Sequence, residues 1–395
     1  MRYALLVRGL LAVLAISWGA NGQTVSKGFD HFYNLEYDAC IAEFERAIRE
    51  RPAEPQGYNH LAQGLMYREM LKAGALESEM VTGANPFLRR GRLEPPAEVE
   101  KQFLDAIGKA MSLSQAAVTS NPRDVGATYA LGVAYGLRGN WNFLVRKAYM
   151  DSLRDLTASR KLATKAVELD PKLIDARIIL GLHDYVLGSL PGYIKMLGFL
   201  AGFRGDREAG VRTIKEVAAK GTMNTTDAKV LLGVIYRRER RSKEAIPLLD
   251  DLIQRFPRNY LFRMELAQMW ADEGDKAKSL AAIDALDQLR RSGATAAGTL
   301  SAEKIAFARG NILFWYDDFD RAIEQLKAAT AGTEKLDLHT ASMAWLRLGQ
   351  TYDLRRNRPA AQAAYRQVLQ QNDSSDMAKE AKRYLGSPYK RPPAG

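Results

Sequence analysis

Four histidines, one cysteine and a few paired carboxylates are the residues of this 395-residue chain with the types to do chemistry. His31, His60, His183 and His339 could serve as bases or metal ligands. No two of them stand at metal-ligand spacing, so each reads as a surface or packing histidine. Cys40 is the only cysteine, which rules out an internal disulfide and a paired-cysteine metal or redox motif. No Gly-x-Ser-x-Gly elbow and no Gly-rich phosphate loop occurs in the sequence. The adjacent carboxylates Asp250-Asp251 and Asp317-Asp318 point to different faces of a helix or stand in turns, so they cannot converge on one proton. The expectation is a non-enzyme with no cofactor and no metal.

Charge points to binding instead. Two arginine clusters, Arg237, Arg238, Arg240 and Arg241, then Arg355, Arg356 and Arg358, fall between helical stretches and would form a basic rim if those turns lie along one edge. The formal charge is +11. Such an excess suits acidic partners or an anionic membrane surface. The first 22 residues carry Arg2 and Arg8, an apolar run from Gly9 to Ile16, and small residues at Ala20-Asn21-Gly22 before Gln23, the plan of an export signal. The run is far shorter than the roughly 20 residues a membrane span needs. Taking away Arg2 and Arg8 leaves +9. An exported, periplasmic or secreted protein is expected, for which nucleic acid is not the expected partner.

The elements that must position these residues are helical. Hydrophobic residues at 47% and charged ones at 26% describe an ordered globular chain, and 14 prolines are too few for a linker-rich one. From Thr225 to Arg258, Leu232, Gly233 and Tyr236 form one helical stripe, and Ala245, Leu249 and Leu252 a second, with Pro257 as the stop. The two helices are expected to meet at the small pair Gly233 and Ala245. A hairpin this short cannot bury its outer face alone and needs neighbours of its own kind. The order Leu-Gly, Tyr, Ala, Leu, Leu, Pro resembles the tetratricopeptide (TPR) unit of about 34 residues. The resemblance implies an all-α, TPR-type α-solenoid, a right-handed superhelix of about eight helical hairpins that binds other proteins.

The phase recurs. Cys40, Phe44, Ala47 and Pro52 take the offsets of Ala245, Leu249, Leu252 and Pro257, which gives Cys40 a packing role. Leu131-Gly132 with Tyr135 and Leu180-Gly181 open two further units, the first with a second helix over about 142–169. Gly310, Ala322, Leu326 and Ala329 mark another. Trp345, Leu348, Gly349, Tyr352, Ala361, Tyr365 and Val368 mark the unit nearest to consensus. Residues 23–385 thus form the solenoid, with insertions at about 71–97 and 187–205. A capping helix over 375–385 is followed by a disordered basic tail, 386–395.

In TPR arrays the first helix of each repeat lines the concave surface. Carried over in this chain's phase, the resemblance places Tyr129, Val133, Ile178, Leu182, Tyr185, Val230, Val234 and Arg237 in the groove. It adds Met264, Gln268, Phe307, Asn311, Phe314, Trp315, Leu346 and Gln350. A largely apolar groove with amides at intervals suits an extended or helical protein segment. Lys304 with Asn311 is the sole fragment of the lysine and asparagine clamp some TPR proteins use for acidic C-termini, which argues against that mode. The apolar run over 187–205 leaves a second reading open: a buried insert, or a patch with which a peripheral protein meets anionic lipid. Residues 190–210, LPGYIKMLGFLAGFRGDREAG, also resemble a segment of the TPR family that includes the eukaryotic inclusion-body-clearance protein.

Overall fold

The computed structural model describes residues 22–76, 93–189, 205–294, 300–371 and 376–391. The export segment, apart from Gly22, and the cores of both insertions lie outside the described residues. Among those described there are seventeen α-helices, and the chain divides into two compact units. The first unit, residues 22–71 and 93–239, holds α1 (Gly22–Tyr33), α2 (Tyr37–Glu50), α3 (Pro55–Lys72), α4 (Ala97–Ser120), α5 (Val125–Leu144), α6 (Tyr149–Leu169), α7 (Arg177–Gly188), α8 (Arg207–Lys220) and α9 (Thr225–Arg238). The second, residues 72–76 and 240–391, holds α10 (Ser242–Arg255), α11 (Tyr260–Asp272), α12 (Lys276–Arg291), α13 (Ala302–Trp315), α14 (Phe319–Thr330), α15 (Leu338–Leu354), α16 (Arg358–Gln371) and α17 (Asp376–Gly386).

Each unit is a row of helical hairpins, as an α-solenoid requires. In the first, α1 pairs with α2, α5 with α6 and α7 with α8; in the second, α11 pairs with α12, α13 with α14 and α15 with α16. Residues 225–258 are divided, with α9 closing the first unit and α10 opening the second. The two helices of a repeat differ in how much of their circumference is covered. Second helices bury one stripe, such as Tyr37, Cys40, Ile41 and Phe44 on α2, spaced i, i+3, i+4, i+7. First helices are buried on most sides, because each also touches the first helices of its neighbours, α11 to α13, α13 to α15 and α15 to α17.

The hairpins close on glycine, though not against the small partner the sequence pointed to. In three repeats glycine receives a large side chain sixteen residues on: a Cβ on Gly349 would meet the Tyr365 ring, one on Gly310 would lie 2.8 Å from Cγ of Leu326, and one on Gly28 would meet the Phe44 ring. Gly233 does not follow them, since nothing lies within 4 Å of its Cβ position. The buried alanine at the earlier offset, Ala361 or Ala322, packs within the same core without filling the glycine's place. Tight helix packing needs a knob opposite each hole, and two small residues facing each other would leave a void. The α7/α8 pair uses backbone approach instead: a Cβ on Gly210 would sit 2.5 Å from the Gly181 oxygen, and Gly188 and Gly205 meet the opposite strand of chain as closely. That glycine seam holds the hairpin together on either side of the insertion.

Between the two helices of a repeat the chain reverses through one left-handed residue. Leu35, Lys147, Arg240, Asp317 and Arg356 have φ between 53° and 64°, and Gly274 takes the same place at 81°. This residue ends the first helix and turns its successor back. The reversal at Lys147 also corrects a boundary. The expected second helix over 142–169 begins at Tyr149, because α5 runs on to Leu144. First helices are started by side-chain caps: Asp124 accepts from Ala127 N, Asn259 from Leu261 N, Ser301 from Lys304 N and Asp337 from His339 N.

The tail is also corrected over its described part. Residues 387–391 are packed against the second unit, with Tyr389 7% exposed in the same core as Phe314 and Tyr365. The capping helix behaves as expected: α17 buries Ala378, Ala381 and Tyr384 and exposes Lys379, Glu380 and Arg383.

Candidate functional site

In the first unit the positions assigned to a groove are mostly interior. Tyr129 and Tyr185 are fully buried, as is Ile178, while Val230 and Val234 are half-buried. The tyrosines are held by polar partners that sequence reasoning missed. The Tyr129 hydroxyl accepts from Asn224 Nδ2 at 2.7 Å and faces the Asp175 carbonyl at 3.4 Å. Asp175, 3% exposed, takes three successive backbone N–H groups on its carboxylate, those of Thr222, Met223 and Asn224, at 2.8–3.1 Å. It thereby builds the turn into α9 from a distance of nearly fifty residues in sequence. Burial pushes the Tyr185 hydroxyl up to about 12, with the charge of Glu239 acting the same way, so it stays protonated. These tyrosines are packing residues, not groove lining.

The second unit does bring predicted residues together, on α13 and α15. Phe314 is fully buried; Phe307, Asn311 and Gln350 are nearly so; Trp315 is 48% exposed. Met264 and Gln268 on α11 are partly exposed, and Gln268 donates to Asp272 on its own helix at 2.8 Å. The two amides expected to hold a partner's backbone are engaged by Arg347, which the repeat phase did not single out. Its Nε donates to Asn311 Oδ1 and its Nη1 to Gln350 Oε1, each at 2.8 Å. The same guanidinium lies 4.4 Å from the Phe314 ring centre and 4.9 Å from that of Trp315. Arg347 is only 9% exposed as a residue, and a buried guanidinium needs such acceptors and π faces to offset its lost hydration. The signal in the sequence was an arginine inside the apolar run Trp345-Leu346-Arg347-Leu348. Lys304, the clamp fragment, is buried and paired with Asp337 at 3.5 Å.

The basic rim is sorted by the structure residue by residue. Arg240 and Arg356 are exposed at the left-handed positions, and Arg355 is exposed beside Asp320 at 3.0 Å. Arg241 pairs with Glu244 at 2.6 Å, Arg238 is half-buried and Arg237 is 9% exposed. Arg358 leaves the rim altogether. It bridges Asp353 at 3.0 Å to the carbonyls of Tyr384 and Leu385 at 2.6 and 2.8 Å, which clips the end of α17 to α15. Helix α17 ends there with unpaired carbonyls, and a cation is what they attract.

Among the described residues no three His, Cys, Asp or Glu side chains stand as a metal site, and no helix is long and apolar enough to cross a membrane. Burial raises the Cys40 thiol far above its usual value. Burial lowers His60 to about 3, leaving it neutral between the rings of Phe29 and Phe44. Of the apolar run at 187–205, residues 190–204 lie outside the described residues, and with them most of the second family resemblance. Its described end, Gly205 to Gly210, supplies the Asp206 cap and the close glycine contacts of α8.

Glycine-closed hairpins with a first-helix face rich in aromatic and amide groups define a helical-repeat scaffold. Residues 230–294 match the family model described as tetratricopeptide repeat. No curated relative matches the chain. Among solved structures it is similar to yeast Tom70, at 13% identity over 92% of this chain and 94% of that one, with a TM-score of 0.42. It is also similar to the human IFIT1 dimer with m7Gppp-AAAA, at 12% identity over 93% and 81%, with a TM-score of 0.46. A third is a thermophilic TPR protein of Thermus thermophilus, at 17% identity over 62% and 96%, with a TM-score of 0.34.

Proposed function

We propose that the chain is a non-catalytic scaffold of the cell envelope that binds a protein segment on the inner face of its last repeats. The observation that carries the reading is Trp315, a large aromatic left 48% exposed beside the buried Phe314 and over the Arg347 guanidinium. Aromatic and arginine side chains together are the usual anchors of protein interfaces. The absence of catalysis is inferred from the repeat class. The envelope location is inferred from Arg2, Arg8 and the apolar run that follows them.

Crosslinking of the full-length protein in intact cells, followed by identification of its partners, tests the reading. Trp315→Ala should remove partners captured by the wild type while leaving the melting curve unchanged. Capture of the same partners by the variant would overturn the assignment of this face. Recovery from the envelope fraction with Gln23 as the first residue is expected, and recovery from the cytosol starting at Met1 would overturn the location.

A further inference from the structure

Residues 387–391 leave the last turn of α17 and run back over α15 to the end of α13. Their exposure alternates as in an extended strand, with Tyr389 turned in, Lys390 out and Arg391 in. The Tyr389 ring sits 6.2 Å from that of Phe314 and 5.2 Å from that of Tyr384. Its backbone N–H donates to Asp353 Oδ2 at 2.8 Å. Asp353 is itself held in place by the Tyr365 hydroxyl at 2.8 Å and by Arg358. Two residues on, Arg391 donates to the carbonyls of Phe314 at 2.6 Å and Trp315 at 3.4 Å and pairs with Asp317. Those carbonyls lie at the end of α13, where the helix dipole favours a cation, and the Phe314 oxygen accepts from Arg391 in addition to the backbone N–H of Asp317 at 3.2 Å.

The contacts are of three kinds: a ring in an apolar slot, a main-chain N–H on a buried carboxylate, and a guanidinium on a helix end. That combination is how a groove reads an extended peptide. Closing the repeat stack does not call for it, since α17 already covers α16 with Ala378, Ala381 and Tyr384. We infer that the inner face of α13 and α15 is a site for extended segments with an aromatic residue followed two positions later by arginine. Residues 389–391 occupy it in cis, and a partner segment of the same pattern displaces them. The inference rests on the scaffold reading above and adds the chemistry of the partner. Asp317, which pairs with Arg391, gives the site its preference for a basic residue, while Asp353 takes a main-chain N–H, despite the chain's overall charge of +11.

The probe is the capped, fluorescent hexapeptide GSPYKR, the sequence of residues 386–391, against the full-length protein. A short tether holds its end at an effective concentration on the order of millimolar. A peptide with a Kd of about 0.1 mM for the open site then binds the wild type about tenfold more weakly. The variant Tyr389→Ala/Arg391→Ala, checked for native circular dichroism, should bind the probe at least about tenfold more tightly than wild type. It should not bind the same peptide with its tyrosine and arginine replaced by alanine. Equal binding by wild type and a folded variant overturns the inference. Hydrogen exchange on the wild type supplies a second readout independent of that variant's folding. The Tyr389 amide should be protected, and saturating GSPYKR should expose it. An amide unprotected from the start overturns the inference and leaves the scaffold reading standing. A protected amide that the peptide never exposes, with no peptide taken up by the variant, removes this face as a binding surface and takes both with it.

Discussion

Replacing Gly349 by alanine should destabilise the second unit, although the same change stabilises an ordinary helix. Alanine in a helix interior is better than glycine by about 1 kcal/mol. Against that gain stands the Tyr365 ring, whose Cε1 would meet the new Cβ and whose Cδ1 and Cζ lie 2.7 and 2.9 Å from its position. The ring must retreat by about 1 Å to regain ordinary carbon contact. It cannot do so freely, being fully buried, with its hydroxyl bound to Asp353 at 2.8 Å and its ring 5.6 Å from that of Tyr384. Overpacking of this kind costs about 1–3 kcal/mol. Loss of a buried hydrogen bond to a carboxylate adds about 1.5–3 kcal/mol. The net expectation is a loss of about 1.5–5 kcal/mol. Gly108 on α4 is the control, since it is exposed and nothing lies within 4 Å of its Cβ position. Gly108→Ala should stabilise by up to about 1 kcal/mol. Urea unfolding followed by helical circular dichroism measures both as shifts of midpoint. Shifts of the same sign for the two variants would refute the reasoning, because they differ only in what the added methyl meets.

Three further outcomes follow from the same geometry. Asp175→Ala strands the N–H groups of Thr222, Met223 and Asn224 and should cost about 3–5 kcal/mol, seen as lost amide protection at the start of α9 in hydrogen exchange; retained protection would show that water replaces the carboxylate. Burial pushes the Asp337 carboxyl up, but Lys304 and the bonds from Thr340 outweigh it and leave it below its usual value. A depressed folded value gives stability that is complete above about pH 4 and lost as the pH falls below it. Asp337→Asn should therefore flatten the stability profile between about pH 5 and pH 3, and an unchanged slope in acid melting curves would count against the assignment. Arg356 holds φ at 59°, which costs a side-chain residue about 1–2 kcal/mol and glycine nothing, so Arg356→Gly should raise the unfolding free energy by about 0.5 kcal/mol after glycine's entropy loss, seen as a higher urea midpoint, and a lowered midpoint would show that the arginine holds the turn.

The sequence by itself determined the class of fold and the place of each repeat. A periodicity of helical stripes is a local property that every copy repeats. It also put Phe314, Trp315, Asn311 and Gln350 on the first helices of the last two repeats, α13 and α15. What the tertiary structure alone decided is which of those positions are free. Tyr129 and Tyr185 are spent in the interior, and Asn224 and Asp175, far along the chain, meet the Tyr129 hydroxyl there. The amides Asn311 and Gln350 are taken by Arg347, and Phe314 is covered by Tyr389, which lies 75 residues further along the chain. Occupancy depends on contacts between residues far apart in sequence, and no periodicity encodes those. The tail reads as disordered from its composition, yet Asp353 and the end of α13 supply the acceptors that hold Tyr389 and Arg391.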